Sequence, residues 1–296
     1  MNSGDGVRLE MFEKMPIPRA RSVVSLVLLT LAVLAGEPVA EAWGPTGHRL
    51  TNRWAVETLP PEIRGFFEAN RPFLIEHAND PDTWMTKDPF ERTRHYIYLD
   101  KYGIFPYPKL PHSFKLATAQ YGKGRVNRDG LLPWQVGEYS LRLTNAFKAQ
   151  DWNEVRMDAA VLGHYVADAT DPLHTTQNYD GQLTGQTGLL DRFEIRLIDH
   201  FSNFFMLAPQ DAVKIDDPTE FAFQLTLDAH TWVDRVVLED RRSLEGLPSY
   251  NEEYFNRFYS QIGTTVMQQI NAAAHAVGSY WYTAWLNAGR PTLSSR

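Results

Sequence analysis

Cysteine is absent from all 296 residues. No disulfide can staple this fold and no thiolate can hold a metal, so any bound cation must rely on His, Asp, Glu or backbone groups, a donor set that suits zinc. A basic excess is missing too. The formal net charge of −7 excludes a broad cationic surface for nucleic acid, although it leaves room for an enzyme that grips a few phosphates through bound cations. Repeats and low-complexity tracts are lacking. The apolar run from Val23 to Ala35 is too short for a comfortable membrane span. It follows Arg19 and Arg21 and precedes the small-residue stretch Ala40-Glu41-Ala42, the order of a secretory signal peptide. Residues 1–42 therefore read as a signal peptide, with Met15 as a candidate true start. Residues 43–296 read as a single domain, secreted or periplasmic, monomeric and without a stable membrane anchor.

What is present is helical periodicity. Hydrophobic residues make up 43% of the chain, enough to bury a sizeable core. In "GHRLTNRWAVETL", Leu50, Trp54, Ala55 and Leu59 share one helical face, and "PPEIRGFFEA" restarts a helix after two prolines. Further helices are expected over 133–149, 152–169, 189–206, 218–240 and 252–286. Between them, "YGIFPYPKLPHSF" and "YGKGRVNRDGLLPW" read as long ordered loops. No alternating pattern argues for a strand, so the expected fold is all-α, a compact multi-helix domain.

The unusual stretch is "VLGHYVADATDPLHTT". His164 and Asp168 are four apart and fall on one helical face. His174 follows a break at Asp171-Pro172, where the chain can turn back toward that face. A lone buried histidine usually finds a hydrogen-bond partner in the core. The set His-x3-Asp-x5-His instead gathers two imidazoles and a carboxylate in a small volume, so both a metal site and a polar seam fit the residues alone. His48 lies five residues after Trp43, at the start of the expected mature chain. His95, in "RTRHYIYLD", reads as extended, and "HANDPDTW" offers Asp80 and Asp82.

With "WGPTGH", "HYVADATDPLH" and "GLLDRFE", the chain resembles the zinc-dependent phospholipases C and the S-one/P-one single-strand nucleases. That resemblance implies a secreted all-α hydrolase with a three-zinc cluster. Asp82, His95, His164 and Asp168 would hold one zinc. The amine and carbonyl of a freed Trp43, with His48 and the bridging Asp168, would hold a second; His174 and Glu194 would hold the third. Asp82 and Asp168 are the carboxylates that the resemblance ties to catalysis. Asp82 is preferred to Asp80 because it follows a proline, and His77 and Asp80 are then ordinary loop polar groups. The implied chemistry is hydrolysis of a phosphodiester by water acidified between cations. The Trp43-to-His48 spacing and the "DPLH" segment favour single-stranded nucleic acid as substrate, whereas Glu194 favours a phospholipid; the expectation leans to the nuclease, with the phospholipase C as the alternative.

Three positions depart from the family pattern. Leu190 stands where the third zinc should have a histidine, with Asp191 as a candidate substitute. Met85 stands where an arginine assists the transition state, with Lys87 the nearest cation in sequence. Tyr98 replaces an aspartate that contacts a nucleobase in the nucleases. Leu190 and Met85 also keep open a non-catalytic module that binds zinc and phosphoesters. His112, His200, His230 and His275 lack convincing ligand spacing, and Tyr280, Trp281 and Trp285 read as core aromatics.

Overall fold

The computed structural model describes residues 43–293; the expected signal peptide, residues 1–42, lies outside the described residues. Those described form an all-α fold with no strand. The elements that build the site are α1 (Gly44–Thr58), α2 (Pro61–Ala69), α3 (Arg71–Glu76), α4 (Asp80–Trp84), α5 (Phe114–Tyr121), α6 (Lys123–Asp129), α7 (Leu132–Ala149) and α8 (Trp152–Ala169). They continue with α9 (Leu197–Phe201), α10 (Pro218–His230), α11 (Val233–Leu244) and α12 (Glu252–Asn287).

Helix α8 is the central strut. Asp151 caps it by accepting the Glu154 N–H, and from Asp158 to Ala169 every residue is buried. A helix buried all round must present small residues where neighbours approach. At Gly163 an added Cβ would lie 1.9 Å from Asn52 Oδ1. Asn52 uses the proximity: its amide donates to the Leu74 and Ala160 carbonyls at 2.9 and 3.1 Å, tying α1 to both neighbours. Helix α12 packs along α1, α7 and α8, and Trp281 donates from its indole to the Ala159 carbonyl at 3.0 Å. One apolar cluster runs from Ala55 and Phe67 through Leu143 and Val161 to Trp281. A second gathers Trp43, Leu173, Leu190, Phe193, Phe258 and Ile262. The site lies at the end of α8 that joins the second cluster.

The structure revises several expected elements. His95 is not in extended chain; it closes a 3₁₀ turn, Glu91–Arg94, with φ −90° and ψ −8°. The stretch 123–129, expected to be loop, is helix α6. The helix expected over 189–206 is broken into a π-helical turn, Asp191–Arg196, then α9, then a 3₁₀ turn. The break falls where α1 begins: Gly44 has φ +52°, and a Cβ there would meet Ile195 Cγ1 at 3.0 Å and the Glu194 carbonyl at 3.1 Å. The helix expected over 218–240 tightens at Thr231 and Trp232, whose N–H groups bond three residues back to Asp228 and Ala229. It therefore divides into α10 and α11.

Candidate metal centre

Four segments converge on the Asp168 carboxylate at the end of α8. His95 Nδ1 is 3.0 Å from Asp168 Oδ2, 3.7 Å from Asp82 Oδ1 and 3.1 Å from His164 Nε2. His164 Nε2 is 3.5 Å from Asp82 Oδ1 and 3.5 Å from Asp168 Oδ2. A tetrahedral zinc with N and O bonds of ~2.0–2.1 Å has ligand atoms about 3.3–3.4 Å apart. Five edges of the Asp82, His95, His164, Asp168 tetrahedron thus sit within a few tenths of an ångström of that length. On the other side of Asp168, His48 Nε2 approaches Oδ1 at 3.4 Å, and its ring stacks on His164 with centroids 3.9 Å apart. Ligand atoms of His48, His164 and Asp168 lie within 4.8 Å of one another, and so do those of Asp82, His95 and His164.

The imidazoles are held from behind. His164 Nδ1–H donates to the Ala78 carbonyl at 2.8 Å, which turns Nε2 inward. His174 Nδ1–H donates to the His95 carbonyl and presents Nε2 to Glu194. His95 Nε2 faces Glu91 Oε1 at 3.5 Å, leaving Nδ1 for the cluster. Glu91 is itself fixed by Tyr165 and Arg94. Outer partners of this kind set the tautomer and aim of metal-binding histidines.

Burial sharpens the case. The five side chains of His48, Asp82, His95, His164 and Asp168 are at most 8% exposed. Yet both nitrogens of His48, Asp82 Oδ1 and Asp168 Oδ1 have no hydrogen-bond partner. Orphaned polar atoms in a native interior are rare and costly, and bound cations would satisfy His48 Nε2 and the two carboxylate oxygens. Burial, then repulsion from His164, lowers the His48 pKa to about 3. Burial opposes charge on His95 as well, but its hydrogen bonds to Asp168 and Glu91 raise it to about 10. Burial would raise the Asp82 and Asp168 carboxyls; the surrounding histidines outweigh it and hold both below the usual carboxylate range. The pocket is thus built to keep two carboxylates ionised.

A second corner lies beside the cage. His174 Nε2 is 3.8 Å from Glu194 Oε1, and neither these atoms nor Glu194 Oε2 has another partner. Leu190 is 5% exposed and packs in the second apolar cluster, so it offers nothing to a metal. Asp191 is exposed and does not substitute for it. Trp43 is wholly buried, and its indole donates to the Ala167 carbonyl at 2.9 Å, one residue before Asp168. Its carbonyl accepts the Gly47 N–H at 3.0 Å and opens α1.

The remaining candidates lie elsewhere. Asp80 pairs with His77 at 2.7 Å on the rim. Lys87 is exposed and Met85 half-buried. Tyr98 stacks on Tyr96, with ring centroids 4.3 Å apart, and lies parallel to Tyr179. His230 is engaged by the Tyr107 hydroxyl at 2.6 Å and the Thr175 hydroxyl at 2.9 Å. His112 pairs with Glu220, and His275 contacts the Gln210 carbonyl. Two buried acids escaped the sequence reading, Glu91 and Asp171. Both stood beside a quoted motif, Glu91 four residues before His95 and Asp171 in the Asp-Pro break before His174. Neither spacing alone says that the side chain points inward.

The sequence matches no protein-family model and no curated protein. Among solved structures it is similar to the alpha toxin of Clostridium absonum, at 13% identity and a TM-score of 0.49, over 86% of this chain and 65% of that one. It is also similar to the Clostridium perfringens alpha-toxin from an avian strain, at 11% identity and a TM-score of 0.49, over 88% of this chain and 67% of that one. The chain thus spans less than two thirds of the length of the first of these.

Proposed function

We propose that the protein is a zinc-dependent phosphodiester hydrolase of the phospholipase C type, acting on phospholipid headgroups. One observation carries the metal reading: four buried ligand atoms from three separate segments have five of their six separations close to those of a tetrahedral zinc, and His164 is aimed by its bond to the Ala78 carbonyl. When bound there, zinc would polarise a phosphoryl oxygen and acidify a nearby water. The chain's own residues do the rest. Asp168 joins the His95 and His164 side of the cluster to the His48 side, fixing the spacing between two adjacent cation positions. Asp82 is the least buried of the five at 8%, so solvent and substrate reach the cluster past it. Held ionised, it can accept a hydrogen bond from an entering water and orient it toward phosphorus. Ala78 and Glu91, behind the rings, keep the geometry from relaxing when substrate arrives.

Phospholipid is preferred because Glu194 follows the phospholipase pattern, and because Tyr98 removes the carboxylate that a nuclease of this type would use on a base. A single-stranded nucleic acid is the second reading. The Trp43-to-His48 spacing favours it, and a half-buried tyrosine stack could take a base without a hydrogen bond. Export is part of the proposal, since cleavage after Ala42 would free the amine of Trp43, whose indole is anchored at the Ala167 carbonyl next to Asp168 in sequence. Among the described residues no helix is long and apolar enough to cross a membrane.

The test uses protein processed by an exporting host, with its N-terminus sequenced, incubated with phosphatidylcholine vesicles and with single-stranded DNA and RNA. Headgroup phosphate ester should be released, chelator should abolish release, and added zinc should restore it. Cleavage of nucleic acid alone would select the second reading. Zinc binding without turnover of any substrate would leave a non-catalytic module.

A further inference from the structure

We propose that the stretch over residues 101–128 is a docking surface for an anionic phospholipid bilayer. The proposal deepens the phospholipid reading, but docking is measured as binding and does not need turnover. In a chain of net charge −7, this stretch carries Lys101, Lys109, Lys115, Lys123, Arg125 and Arg128 and no Asp or Glu. All of these are exposed except Arg125, which is partly buried. Arg125 and Arg128 lie 3.2 and 3.7 Å from the Asp129 carboxylate. Among the described residues, the four lysines are in no ion pair. Large apolar side chains stand out of the same stretch: Ile104 is 86% exposed, Leu116 59%, Phe105 51% and Phe114 37%.

The exposure is not that of an unpacked loop. Tyr102, Tyr107 and Leu110 are buried and join Ile97, Leu99 and Phe223 in a third apolar cluster. Ile104 and Phe105 are left at the tip of a turn, closed by the Tyr107 N–H donating to the Ile104 carbonyl at 2.8 Å. Backbone bonds gather cations around that tip. Arg125 donates to the Lys101 carbonyl at 2.6 Å and lies over the Tyr102 and Tyr121 rings. The Tyr121 hydroxyl donates to the Lys109 carbonyl at 2.9 Å. The base of the stretch is tied to the metal centre: the Tyr98 N–H donates to the Asp129 carbonyl at 2.7 Å, and the Ile97 N–H to the His174 carbonyl at 2.9 Å. Apolar tips ringed by lysines suit a bilayer interface. The tips enter the acyl boundary while the ammonium groups stay among anionic headgroups. Single-stranded nucleic acid would use the cations but offers nothing to Ile104 and Leu116, so a bilayer accounts for both halves of the surface.

The test is flotation of the processed protein with vesicles of phosphatidylcholine alone and of phosphatidylcholine mixed with phosphatidylglycerol, at low and high salt. Wild type should bind the mixed vesicles, detach as salt rises, and bind the neutral ones at least about 10-fold more weakly. Lys101→Gln combined with Lys109→Gln should weaken mixed-vesicle binding by about 30-fold. Ile104→Ser combined with Phe105→Ser should weaken it by at least about 10-fold. Both double variants alter exposed side chains, so each should keep the wild-type thermal melt and zinc content. Equal binding to neutral and anionic vesicles overturns the proposal, as does mixed-vesicle binding that neither double variant changes. So does a wild type that ignores both vesicles yet binds single-stranded RNA through the same lysines. Vesicle binding with the expected losses but no ester hydrolysis supports the docking surface and overturns the phospholipase reading instead, so the two failures are distinguishable.

Discussion

Two buried charged clusters, around Asp240 and around Asp168, resolve their charge in two different ways. Around Asp240 the chain supplies its own cation. Arg192 grips that carboxylate through Nε at 2.8 Å and Nη2 at 3.1 Å, and it donates to the Gln186 and Thr187 carbonyls at 2.9 and 3.0 Å. Gln186 adds a bond to Asp240 at 2.7 Å, Tyr254 donates its hydroxyl, and Tyr250 lies under the guanidinium at 3.9 Å. None of the Arg192, Gln186, Asp240 and Tyr254 side-chain atoms is without a partner. Around Asp168, by contrast, three histidines and two carboxylates meet with unpartnered atoms and no arginine or lysine among them. A satisfied network holds the fold together. An unsatisfied one offers donors that a cation could use, and the difference supports the proposed metal site.

The comparison can be broken most directly at Asp168. Asp168→Asn should lower hydrolysis by on the order of 10³-fold, because it removes the carboxylate shared by two cation positions. It should also lose more zinc than His174→Asn, as counted by plasma mass spectrometry. Unchanged zinc content in Asp168→Asn would mean that the orphaned atoms are not ligands.

Asp240→Asn should behave in the opposite way. It leaves Arg192 buried without its charge partner, which costs about 3–5 kcal/mol of stability in a urea melt. Folded protein recovered from that variant should still carry its zinc. Loss of metal with little loss of stability would invert the assignment of the two regions.

A smaller effect is expected behind the cage. Glu91→Gln should keep a polar group facing His95 Nε2 but lose its charge, weakening zinc binding by about 10–100-fold. Glu91→Asp should recover part of that loss. A zinc titration with no change would make Glu91 a fold residue serving only Tyr165 and Arg94.

Proton linkage gives the smallest signal. The metal-free protein holds a proton on His95, whose pKa is raised to about 10 by its hydrogen bonds to Asp168 and Glu91 against the effect of burial. His95 is protonated at pH 7 and must give up that proton to bind a cation. Zinc uptake at pH 7 should therefore release protons, and affinity should rise as pH increases through neutrality. Calorimetry in two buffers of different ionisation enthalpy measures the release; equal apparent enthalpies would contradict it.

Much of the fold is legible in the sequence. The period of apolar residues, the Asp151 and Asn251 caps and the prolines that open α1 and α2 are local signals, so α7, α8 and α12 lie within a residue or two of expectation. His164 and Asp168 share a face because helical spacing allows nothing else. Where the reading failed, the cause was not local. His95 sits in a 3₁₀ turn rather than an extended segment, and the helix through Glu194 takes a π-helical turn where the start of α1 lies against it.

Residue types and their spacing thus determined by themselves an all-α chain with a metal-competent histidine and aspartate set and without thiolate chemistry. Only the tertiary structure decided which acids belong to that set. Asp82 rather than Asp80 approaches His95 and His164, Asp191 is exposed, and Glu91 and Asp171 are buried. The direction of a side chain in a loop depends on partners tens of residues away, and those contacts are fixed only when helices α1, α8 and α12 close on one another.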